Sequence, residues 1–258
     1  MRMPGQVWLT FLVIVSTSWC GGVDHTTANQ REVGESTVKQ ATPGTISLDF
    51  TPMTEPTSTF VSIRPDNEAK VARYSRSLLV VKGLGNGTIS RQEASTLLDK
   101  ARALASANDS CSKSFGAPGL TRGDQFHLTL NVEQTQKECV GFLEDAPPAI
   151  RSLVQDILSI GQKLAPASLA DAYLRSEPIS QNRYDALSKS PKLRFVSLES
   201  FPSDTQQVLS MAINQPRDFI ALSMEQRKNL LDRIPNGQEL FVTHKNSGHQ
   251  LTLFRAQP

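Results

Sequence analysis

The residues able to do chemistry are few and scattered. The chain has four histidines, His25, His127, His244 and His249, and three cysteines, Cys20, Cys111 and Cys139. A structural zinc site takes four ligands at short spacing, and two cysteines with no neighbouring histidine do not supply them. His244 and His249 flank a terminal turn, but a histidine pair with no carboxylate or cysteine beside it makes a poor metal site. A nucleophilic serine needs a histidine and an orienting acid. No Gly-x-Ser-x-Gly elbow occurs, and Asp124, His127 and Ser112 or Ser114 are close only in sequence. Gly83-Leu-Gly-Asn-Gly87 lacks the lysine and hydroxyl of a phosphate loop and reads as a turn. Of the acidic pairs, Glu144-Asp145 suits a helix N-terminus, and Glu133 with Glu138 suits a solvated hairpin tip. The expectation is therefore no catalytic residue, no metal and no cofactor.

Charge narrows the partners. With 27 Lys and Arg against 25 Asp and Glu, and no basic run, nothing favours nucleic acid. At the N-terminus Arg2 precedes an apolar run over 7–15, followed by Ser16-Thr-Ser18, the order of a secretory leader. The run is well short of the roughly twenty residues that span a bilayer. Cys20 follows Trp19, where a lipidated cysteine normally follows a small residue. Cleavage within 18–22 leaves Cys111 and Cys139, an even pair that an oxidising compartment turns into a disulfide. It would close a loop of about 29 residues and stabilise by roughly 3 to 4 kcal/mol.

The elements that must position these residues follow from periodicity and punctuation. Phe126, Leu128, Leu130 and Val132 alternate with His127, Thr129 and Asn131, the period of a strand with one face in a core and one in water. A second strand over 138–143 makes an antiparallel hairpin. Before it, 71–81 reads as a strand. Ser90-Arg-Gln-Glu93 is a capping box for a helix to about residue 107. After it, Asp145-Ala-Pro-Pro148 opens a helix with its apolar stripe on Ile150, Leu153, Val154, Ile157, Leu158 and Leu164. Beyond Pro166 the order is a short helix or edge strand (169–179), a short helix (181–187), a strand (193–198), a helix (204–214), a capped helix from Ser223 and a hairpin pairing 239–244 with 250–255.

These readings give an α+β fold of small antiparallel sheets with helices packed on one face, preceded by a disordered tether. Its parts are a signal peptide (1–22), a Thr/Ser/Pro-rich tether (23–68), an α+β domain with the hairpin and disulfide (69–165) and a second α+β unit (166–258). The tether carries too few apolar side chains to offset the entropy of ordering, with room for one short extended segment at 45–51. The expected protein is secreted or periplasmic, a non-enzymatic binding or interaction protein. Its contact face is His127, Thr129 and Asn131, and the hairpin edge is open to another protein by strand addition. Two alternatives stand beside it: an extracytoplasmic hydrolase with dispersed catalytic residues, and an envelope component held to the membrane by an uncleaved leader.

Overall fold

Residues 44–107, 111, 114–116, 123–133, 135–189, 195–233, 240–244 and 247–257 are described by a computed structural model. The leader and His25 lie outside them. Strands β1 (Thr45–Thr51) and β2 (Ser58–Ile63) come first. In Thr-Ile-Ser-Leu-Asp-Phe, Ile46 and Leu48 alternate with Ser47 and Asp49, so one face of β1 is apolar and the other polar. Both apolar side chains are fully buried. β3 (Glu68–Ser75) and β4 (Val80–Thr88) form a hairpin. β4 runs through the glycines expected to make a turn, and the chain reverses instead at Arg76-Ser-Leu-Leu79, where Leu79 has φ 51°.

Helix α1 (Arg91–Ser106) starts at the capping box, with Ser90 Oγ accepting from Glu93 N–H. β5 (Gln125–Val132) and β6 (Thr135–Phe142) are the central hairpin, turning at Glu133 with φ 50°. α2 (Pro148–Lys163) is capped by Pro147 rather than Asp145, without a side-chain hydrogen bond. Its Gly161 lies against the sheet, where a Cβ would stand 2.9 Å from a Val61 methyl.

The remainder comprises β7 (Ala165–Ala167), β8 (Ala172–Pro178), α3 (Gln181–Ser188), β9 (Phe195–Ser197), a 3-10 turn (Leu198–Ser200), α4 (Ser203–Asn214), β10 (Ile220–Leu222), α5 (Met224–Leu231), β11 (Leu240–His244) and β12 (Ser247–Ala256). α5 begins at its predicted box, Ser223 with Gln226.

Small antiparallel sheets are not what these strands build. One twelve-stranded mixed sheet runs β10-β8-β12-β4-β3-β2-β1-β5-β6, with β7 on β4, β11 on β12 and β9 on β11. β12 joins its halves: it is antiparallel to β8 and β11, and its last residues pair in parallel with Val80 and Val81 of β4. β8, read as a short helix or an edge strand, is internal between β10 and β12. The tether expectation also fails where the chain is described, since β1 pairs with both β2 and β5 across its length. That pairing buries Ile46, Leu48, Phe60, Val61 and Ile63, supplying apolar burial that local composition does not reveal.

Three apolar clusters hold the sheet. α1 and α2 cover the face that carries Leu48, Val61, Val71, Leu128 and Leu130. α4 and α5 pack on Leu174, Leu222, Val242 and Leu251. The third cluster joins Phe60, Ala72 and Tyr74 from β2 and β3 to Tyr173, Phe219 and Phe254 from the other end of the chain. β8 and β1 are five strand steps apart in the sheet, roughly 24 Å if it were flat. Arg175 of β8 nonetheless forms an ion pair with Asp49 of β1. The sheet therefore coils, as the strand twist favours, and brings its polar inner face together.

Candidate binding cleft

The inner face begins with Asp49, which is 6% exposed. Its carboxylate accepts from the Tyr74 hydroxyl, from Arg76 Nη2 at 3.0 Å and from Arg175 Nη2. Arg175 is 1% exposed, and its guanidinium carbon lies 4.9, 5.2 and 5.6 Å from the ring centres of Tyr74, Phe219 and Phe60. Its Nε and Nη1 make no hydrogen bond, although Nε lies 3.6 Å from Glu177 Oε1, so Asp49, the rings and the Glu177 charge hold it. Glu177 receives Arg76 at 3.2 Å.

Burial by itself would push the Asp49 carboxyl up, but Arg175, Arg76 and the Tyr74 hydroxyl outweigh it and hold the group below the usual carboxylate range. Burial, with Asp49 adding to it, raises the Tyr74 phenol, which stays a neutral donor. Burial also opposes the charge of Arg175, and the carboxylate of Asp49 more than restores it. With three donors on it, Asp49 is a structural counter-ion rather than a free base.

Beside this knot a cleft of about 300 Å³ opens between the inner face of the hairpin and the segment 214–218 that links α4 to β10. Register places Thr129 opposite Ser47 and Asn131 opposite Thr45, and all four line it. The segment 214–218 straps this face. Arg217, with φ 70°, donates from its backbone N–H to Ser176 O at 2.8 Å and from Nη1 to Thr129 Oγ1 at 2.9 Å. Its Nη2 lies 3.6 Å from Glu138. Asp218 receives Arg64 at 3.1 Å and Lys70 at 3.5 Å, and Gln215 Oε1 receives Arg64 at 2.7 Å.

The three face residues thus have different surroundings. Thr129 is buried beneath Arg217, Asn131 is exposed at the cleft, and His127 is half-buried with its Nε2 3.1 Å from Glu138 Oε2. Glu138, expected to be solvated, is held down to about 2 by the His127 hydrogen bond and the Arg217 charge, which outweigh its partial burial. Its expected neighbour Glu133 pairs instead with Arg102 Nε at 3.0 Å.

The remaining candidates are dispersed. Asp124 Oδ1 accepts from Met53 N–H at 2.9 Å and His127 Nε2 faces Glu138, so Asp124 and His127 share no hydrogen bond among the described residues; Ser112 lies outside them. His249 is 8% exposed with Nδ1 3.4 Å from Ser176 Oγ, and burial, with His244 nearby, lowers its basicity. Among the described residues no group of three His, Cys, Asp or Glu side chains could hold a metal.

Cys111 and Cys139 form the expected disulfide, with their Cα atoms 4.7 Å apart. It ties the segment after α1 to β6, beside Phe115. The Phe115 N–H donates to Val140 O, and the Phe142 N–H donates to Phe115 O. Between them Gly141 has φ 152°, and a Cβ there would strike the Phe115 backbone.

Sequence reasoning missed Asp49, Arg175, Arg64 and Arg217. The alternation Ile46-Ser-Leu-Asp was a usable sign of a half-buried strand with an acid on its other face. Nothing local marks Arg175 as its partner 126 residues away. Comparison of the chain with protein-family models, curated proteins and solved structures gave no match.

Proposed function

We propose that this chain is an exported, non-enzymatic binding protein that takes its partner at the inner face of the β5–β6 hairpin. The observation that carries this reading is the charge state of the cleft. Arg64 faces Asp218 and Arg217 faces Glu138, and in the knot beside the cleft Asp49 is filled by three donors. General acid–base chemistry needs a group free to exchange a proton at the substrate, whereas paired charges and neutral hydrogen-bonding side chains suit recognition. The outer edge of β6 supports the reading less, because Phe115 already occupies its Val140 and Phe142 end. Export is supported by the leader-like N-terminus and by a disulfide that an oxidising compartment would maintain. Among the described residues no helix is long and apolar enough to cross a membrane.

The test is a photo-crosslinking residue at Gln136, which lines the cleft, compared with one at the exposed Glu225 of α5. In the medium of cells that produce the protein, mass spectrometry should find an adduct formed from position 136 and not from 225. Equal labelling, no labelling at 136, or turnover of ester, peptide or glycoside substrates by the purified chain would overturn the reading.

A further inference from the structure

Resting on that reading, we propose that the cleft takes a neutral polyhydroxylated ligand, one or two sugar residues, with the Ser62 hydroxyl as its buried anchor. Ser62 lines the cleft from β2, is 5% exposed, and its Oγ has no hydrogen-bond partner among the described residues. Nearly all buried polar groups in folded proteins are paired, so a buried, unpaired hydroxyl at a cleft is suited to a ligand group.

Three properties select the ligand. First, the charges cancel in place: Arg64 with Asp218 at 3.1 Å, and Arg217 with Glu138 at 3.6 Å. An anion would have to displace a carboxylate from its arginine, and a cation would have to displace the arginine. Second, Ser47, Ser62, Asn131 and Gln136 are joined by no hydrogen bond within the described residues, and each side chain can both donate and accept. Sugar hydroxyls have the same double role, whereas a peptide N–H only donates and its carbonyl only accepts. Peptides are also read largely by free strand edges or apolar grooves. Here the cleft floor is β1, β2 and β5, whose backbones are engaged in the ladder on both sides. Third, about 300 Å³ is at the small end of ligand cavities, enough for one or two rings.

The probes are glucose, galactose, N-acetylglucosamine, maltose and cellobiose, with the uncharged peptide Gly-Ser-Asn-Gly and free glutamate as competing classes. They would be measured by calorimetry and thermal shift on the full chain. At least one saccharide should bind, and neither the peptide nor glutamate should. Ser62→Ala should weaken saccharide binding about tenfold while leaving the melting temperature of the ligand-free protein unchanged or raised, because the hydroxyl it removes has no partner to lose. Asn131→Ala, at an exposed position, should weaken binding without unfolding. No saccharide binding, peptide binding in its place, or full affinity in both variants would overturn this inference. An adduct at Gln136 in the same circumstances would leave the binding-protein reading standing, so the two fail separately.

Discussion

Replacing Arg175 by methionine removes the charge that compensates Asp49 while keeping most of the unbranched stem. Asp49 remains 6% exposed, with Tyr74 and Arg76 as its remaining donors, and the Arg76 side chain is itself 56% exposed and screened. Breaking a buried ion pair from one side costs about 3 to 5 kcal/mol, and the residual Arg76 contact places this case at about the lower end of that range. The loss also includes a guanidinium set over three rings. For a fold of this size about 3 kcal/mol lowers Tm by roughly 10 °C. The double variant Asp49→Asn with Arg175→Met should regain most of that loss. The amide introduced at position 49 still accepts from Tyr74, no buried charge is left alone, and Arg175 had unsatisfied nitrogens to begin with. Urea unfolding of the wild type, both single variants and the double variant yields the coupling energy. A single-variant loss under about 1 kcal/mol, or a double variant no more stable than additivity allows, would refute the view that this pair closes the sheet.

Two further outcomes test other parts of the fold. Cys111→Ser, chosen because Cys139 is fully buried, should lower stability under oxidising conditions by about 3 kcal/mol for a sequence separation of 28, and should match the wild type in reductant. Equal melting in both conditions would show that the bridge is not formed. Glu138 has a folded pKa of about 2 against an ordinary 4.5, so its contribution is fully present above pH 4.5 and is lost as pH falls toward 2. Glu138→Gln should therefore destabilise at about pH 6, by no more than about 1 kcal/mol because the pair is partly exposed, and the difference should vanish near pH 2. A difference that is flat with pH would mean that its partners do not hold the carboxylate.

Features whose causes lie within a few residues were legible in the chain. Ser90 with Glu93, and Ser223 with Gln226, start helices because each box satisfies free N–H groups locally. The alternation over 126–132 marks β5, and two cysteines behind a leader-like segment point to the bridge. β1 is legible only as a short extended segment at 45–51 within a tether, and β2 not at all. Their apolar residues are sparse, and pairing orders them: β1 lies between β2 and β5, which is more than sixty residues further on, and β2 between β1 and β3. Gly83, Gly85 and Gly87 signal a turn by composition, yet they run in β4 between β3 and β7. The face of His127, Thr129 and Asn131 illustrates the division. Its period was readable, but the coiling of the sheet decides which of the three meets solvent. Coiling sets Arg217 over Thr129 and Arg175 on Asp49, 88 and 126 residues apart in sequence. Such contacts arise from the summed twist of many strands and leave no local pattern.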